Sequence, residues 1–216
     1  MGSKGRDVSA VEAPSRPSLP THPEGAEGGK SPAFWGMVML IFTEATLFGI
    51  LLFSYFYLRF QTSPTWPPGG IEKPKLFLVA IMSPILLLSS GPMHWALTGI
   101  RKGKVARLRL GLLMTFVMGA TFLGLQGVEY HSILTQEFTA RTNVYGSLFF
   151  TITGFHGLHV AVGLLMILWA QWYARLGRFT AERHIPVENV ALYWHFVDAV
   201  WVFILVSLYL SPRFWS

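Results

Sequence analysis

The sequence has no cysteine among its 216 residues. That excludes disulfide staples, thiolate metal sites and thiol nucleophiles. Charge is also scarce. Asp, Glu, Lys and Arg make up 13% of the chain, against roughly a quarter in ordinary soluble domains. The net charge of +6 comes from Lys and Arg set between apolar runs, with no basic face or motif, which argues against a nucleic-acid partner. The first 32 residues lack the apolar core of a secretory signal.

What is present is oil: 52% of the residues are hydrophobic, and they fall in long runs. Residues 34–58 are interrupted only by Glu44, and residues 76–100 carry no formal charge. Further runs cover about 110–128, 144–174 and 191–210, the last enclosing Asp198. Each reaches the ~20 residues needed to cross ~30 Å of hydrocarbon. Backbone polar groups in lipid must be satisfied within their own segment, so the runs are expected to be helices. The expected fold is all-α: an integral membrane bundle of five helices over about 34–59, 75–100, 108–131, 144–174 and 190–211. Pro84 and Pro92 are expected to bend the second. Residues 1–32, rich in Gly, Pro, Ser and Glu, are expected to form a flexible tail ahead of the transmembrane domain at 33–216.

Five spans put the two termini on opposite sides, and the basic residues choose which. One side holds Lys4, Arg6, Arg16, Lys30, Arg101, Lys102, Lys104, Arg107, Arg109, Arg175, Arg178 and Arg183. The other holds only Arg59, Lys73, Lys75, Arg141 and Arg213. This bias predicts a cytoplasmic N-terminus and an outside C-terminus.

Ionisable residues in a bilayer usually face the bundle interior or a partner. They are few here: Glu44, Glu129, Asp198, His94, His156, His159 and His195. Glu44 is expected near mid-membrane, where a carboxyl must be neutral or paired with a histidine. His195 and Asp198 stand three apart on the fifth helix and share a face, as do His156 and His159 on the fourth. Together these five are expected in overlapping layers, tying helices by hydrogen bonds. Glu129 is expected near the outer interface, with Tyr130 and His131 on the same rim. Trp194 and Trp201, seven apart, are expected at a seam with lipid or another subunit. Four histidines also admit a haem or metal site, but bulky neighbours on the fourth helix argue against one.

Five stretches, taken in order, carry a resemblance. FTEATLFG (42–49), LQGVEY (125–130), NVYGSLFF (143–150), TGFHGLHV (153–160) and YWHFVDAVW (193–201) are similar to signature segments of subunit III of the haem–copper oxidases. The resemblance covers roughly residues 34–212 and matches the last five helices of the family's seven-helix form. It implies an accessory subunit of a bacterial terminal oxidase. Such a chain carries no redox centre of its own; haem and copper lie in partner subunits. It packs on subunit I beside subunit II and other subunits, holds phospholipid and supports proton uptake and sustained turnover. Glu44 takes the place of the family's intramembrane carboxylate. The implied location is the bacterial cytoplasmic (inner) membrane, with cytochrome c favoured over quinol as donor. Alternatives are the related accessory protein of nitric oxide reductases and, outside the family, a small membrane transporter or proton channel, or a haem-binding anchor.

Overall fold

The computed structural model describes residues 31–62, 66–68, 76–136 and 138–214. The tail expected at 1–32 therefore lies almost wholly outside the described residues. Five helices are long and apolar enough to cross a membrane. They are α1 (Pro32–Thr62), α2 (Leu76–Arg101), α3 (Val105–Gln136), α4 (Val144–Arg175) and α5 (Ile185–Ile204). The fifth span continues through a π-helical stretch, Leu205–Leu210, into a short α6 (Ser211–Phe214). Several boundaries differ from the sequence expectation, by up to five residues. α3 begins at Val105 and runs on to Gln136, and α5 begins at Ile185, because amphipathic end turns carry polar residues that a hydropathy run omits. α2 continues through both Pro84 and Pro92.

Local chemistry marks the helix ends. α2 closes on Gly103, whose φ of 69° suits glycine, and the amide of Lys104 donates to the carbonyl of Gly99 at 2.9 Å. The turn is so short that α2 and α3 must lie antiparallel. Asn143 caps α4 by accepting from the Gly146 amide at 2.9 Å. Gly177, at φ 68°, ends the same helix. Pro186 sits in the first turn of α5, where its missing N–H costs nothing.

α5 is the central element. Of its most apolar window 56% is buried, against 6% for α1. It runs antiparallel to α2, so partners on α2 fall in number as those on α5 rise. Trp201 donates its indole N–H to Ser83 Oγ at 3.0 Å. Trp194 donates to Ser89 Oγ at 2.8 Å, and Arg101 donates to Glu188 Oε1 at 2.7 Å. These contacts correct the expectation for Trp194 and Trp201. Both are 0% exposed; each indole has found a serine inside the bundle, so neither faces lipid or another subunit.

Trp194 fits because two neighbours are glycines. A Cβ on Gly119 of α3 would stand 2.5 Å from the Trp194 ring, and one on Gly163 of α4 would stand 2.9 Å from it. α1 is fastened at its ends. Asn189 Nδ2 donates to the Ala33 carbonyl at 3.1 Å, and buried Arg59 donates to Ser211 Oγ at 2.6 Å.

Gly119→Ala should therefore destabilise the bundle by about 1–3 kcal/mol, the usual cost of overpacking a core. Gly124→Ala, where an added Cβ meets nothing within 4 Å, should be neutral or slightly stabilising. Thermal unfolding of the two variants in the same detergent compares them; equal midpoints would contradict the close packing at Trp194.

Candidate functional site

The intramembrane polar residues gather into three clusters, joined by no hydrogen bond among the described residues. The first lies between α1 and α4. Glu44 Oε2 stands 3.0 Å from His159 Nε2. The other ring nitrogen, His159 Nδ1, donates to the Phe155 carbonyl at 2.7 Å. With Nδ1 carrying a hydrogen, a neutral imidazole offers Nε2 only as an acceptor. The Glu44–His159 contact must then hold one proton, as a carboxylic acid facing imidazole or as a carboxylate facing imidazolium. Either way the pair is neutral overall, which meets the cost of charge in hydrocarbon. Tyr193 of α5 donates to the His159 carbonyl at 3.4 Å.

This pair stands in the wall of a groove of about 430 Å³ between α1 and α4, lined otherwise by apolar side chains such as Leu40, Leu158 and Val162. A second hollow of about 450 Å³ shares Met37, Val162 and Met166 with the first and reaches Trp169 and Asn189. Together they follow the weakly covered flank of α1.

The second cluster joins α2 to α5. Ser90 Oγ is 2.8 Å from His195 Nδ1 and donates to Asp198 Oδ2. The sequence spacing placed His195 and Asp198 on one face; the serine that bridges them comes from another helix. Asp198 Oδ1 is buried and finds no hydrogen-bond partner among the described residues.

The third cluster lies toward the other end of the bundle. Glu129 Oε2 accepts from Gln126 Nε2 at 3.2 Å and from the Tyr209 hydroxyl at 3.1 Å. Glu129 is 5% exposed, so it lies inside the bundle rather than on a wet rim. Tyr130 also turns inward, its hydroxyl 2.5 Å from Thr153 Oγ1, while His131 is exposed. Tyr209 belongs to the π-helical stretch of the fifth span. A wider helical turn there shifts its side chain relative to α-helical spacing, as such stretches do.

His156 belongs to none of these. It is fully buried, and neither ring nitrogen makes a hydrogen bond among the described residues. Its ring stacks on Trp201 at 5.1 Å and meets Phe122 edge-on at 5.9 Å. In this setting it serves as an aromatic plate. The overlapping polar layers expected of Glu44, His156, His159, His195 and Asp198 are thus two separate bonded groups with an unbonded imidazole. Among the described residues, no three His, Asp or Glu side chains stand together as a metal site. The residues that sequence reasoning missed are Ser83, Ser89, Ser90, Gln126 and Tyr209. One signal was available: Ser83 and Ser90 are seven apart in an oily helix, as are Trp194 and Trp201.

Asp198→Ala would strip Ser90 of its acceptor inside the seam and should cost about 1–3 kcal/mol. Glu44→Gln retains a hydrogen-bonding group toward His159 on a side chain 33% exposed, and should cost under about 1 kcal/mol. Unfolding midpoints rank the two; a larger loss for Glu44→Gln would reverse the assignment of the tighter tie.

Residues 27–216 match the family described as Cytochrome c oxidase subunit III. The protein named Cytochrome c oxidase subunit 3 from Thermostichus vulcanus is 39% identical over 180 residues, covering 83% of this chain and 87% of that protein. The one from Synechocystis sp. is 37% identical over 187 residues, covering 86% of this chain and 78% of its own length. The one from Arabidopsis thaliana is 36% identical over 180 residues, covering 81% of this chain and 67% of its own. The groups gathered between α1 and α4 and between α2 and α5 fall within the matched region, and the chain belongs to the cytochrome c oxidase subunit III family.

Proposed function

We propose that this chain is the accessory subunit III of a bacterial haem–copper terminal oxidase, which reduces oxygen and moves protons across the cytoplasmic membrane. The observation that carries the reading is the family match over residues 27–216. In this reading the chain performs no redox step. Haem and copper sit in partner subunits, with subunit I the main contact and subunit II in the same complex. The donor is cytochrome c, as the names of the relatives suggest.

The physical role is cohesion. The buried polar groups tie the chain's own helices together, and the apolar outer faces offer themselves to neighbours and lipid. Phospholipid fits the α1–α4 groove: its lining is nearly all apolar, and acyl chains would cover the exposed Leu40 and Leu158. In this reading Glu44, His159 and this groove influence how the complex takes up protons and sustains turnover.

Gentle solubilisation with a tag on this chain should bring down a many-span partner whose absorption spectrum shows haem, while the chain separated from it shows none. Recovery of the chain alone from intact membranes, or haem bound to its own histidines, would refute the reading. The orientation has its own test. The chain lacks native cysteine, so Lys102→Cys and Arg141→Cys each add a single thiol to it. With the N-terminus cytoplasmic, a membrane-impermeant reagent applied outside intact cells should label position 141 and spare position 102; the opposite pattern would invert the topology.

A further inference from the structure

Most of the exposed faces of the bundle are apolar. The outer side of α3 shows Leu110, Leu113, Met114 and Val117, as a surface bathed in acyl chains should. The α2–α5 face is different. His94 of α2 is exposed, and it makes no hydrogen bond within the described chain. His195 of α5 is half-buried and lies within electrostatic reach of His94. Only its Nδ1 is used, on Ser90. His94 stands seven residues before the end of α2, and His195 ten residues after the start of α5. At the helical rise these are depths of roughly 10 and 15 Å from the same end of the bundle. Both imidazoles thus open sideways into hydrocarbon, where a polar side chain almost always faces protein.

The Ser90 cluster sets the chemistry of that opening. Ser90 Oγ is hydrogen-bonded to both Asp198 Oδ2 and His195 Nδ1, so one ring nitrogen is satisfied inside the bundle in either tautomer. Nε2 makes no hydrogen bond among the described residues and is left open on this face. Beside it stand two small residues. Gly91 is exposed and a Cβ there would meet nothing within 4 Å, and Ala199 is exposed one turn beyond His195. Small residues of this kind let a second helix backbone come close.

We propose that the α2–α5 face formed by Gly91, His94, His195 and Ala199 is a seam for a transmembrane helix of a neighbouring subunit. That helix presents an uncharged hydrogen-bonding group, a hydroxyl or a side-chain amide, to His195 Nε2. The proposal rests on the reading of the chain as a subunit of a membrane complex. It assigns this face to protein, and the apolar outer side of α3 to lipid.

The test uses the assembled complex in membranes. Gly91→Cys, Ala199→Cys and, for comparison, Val117→Cys are spin-labelled one at a time, and relaxation by dissolved oxygen reports contact with acyl chains. Labels at 91 and 199 should be severalfold less accessible to oxygen than the label at 117. They should become as accessible as that label when the chain is separated from its partners. His94→Leu should lower the fraction of this chain that stays with the complex severalfold, although leucine suits lipid better than histidine does. Equal oxygen accessibility at all three positions in the complex, or unchanged retention of His94→Leu, would overturn the seam. If wild-type chain fails to co-purify with any haem-bearing partner, the functional reading falls and takes the seam with it. If it co-purifies while positions 91 and 199 stay oxygen-accessible, the seam alone falls.

Discussion

The indole of Trp194 imposes the constraint on which the bundle depends. It is among the largest fully buried side chains in the molecule, and it projects from α5 into the space where α2, α3 and α4 converge. Such a group can occupy that space only if its neighbours give up volume and its N–H finds an acceptor. Gly119 and Gly163 supply the volume, and Ser89 supplies the oxygen. In a bilayer the hydrophobic effect does not drive helices together, since lipid tails are as apolar as leucine. Close packing and buried hydrogen bonds must hold the helices instead, and at Trp194 both act at one point.

The same logic extends along the α2–α5 seam. Trp201 on Ser83, Trp194 on Ser89, His195 and Asp198 on Ser90, and Glu188 on Arg101 form one antiparallel ladder. Serine suits this place because it is small enough for close approach and its hydroxyl both donates and accepts. The rung at Glu188 stands at the helix ends, where charged groups reach water, and His184 joins it at 3.2 Å. The rungs inside the span are uncharged or compact, in keeping with the cost of burying charge.

α1 stands apart from this ladder. It is held near its ends by Asn189 and Arg59 and in the middle by the Glu44–His159 pair. Much of its length has no cover from the other described residues: Phe42, Phe53 and Phe60 are 66%, 70% and 78% exposed. Outer faces this apolar call for a nonpolar surround rather than water. That agrees with a family named as one subunit of a larger oxidase.

The division between what could be read from the residues and what could not follows from the range of each interaction. Five spans were legible because crossing the bilayer is a demand on consecutive residues: enough oil, and every backbone group bonded within its own helix. The shared faces of His195 with Asp198 and of His156 with His159 were legible for the same reason, since helical spacing is local. Partners were not legible. Nothing near Asp198 in the chain announces Ser90, 108 positions away, and nothing near Trp194 announces that two distant glycines have cleared room for it. Two histidines with like spacing and like neighbours met different fates. His159 found a carboxyl on α1, while His156 found only aromatic rings. The sequence by itself determined which segments enter the membrane and which family they belong to, because both are properties of order along the chain. Which polar groups meet, and which faces stay open, was decided only when the helices packed, because hydrogen bonds and steric fit act over a few ångströms between residues far apart in number.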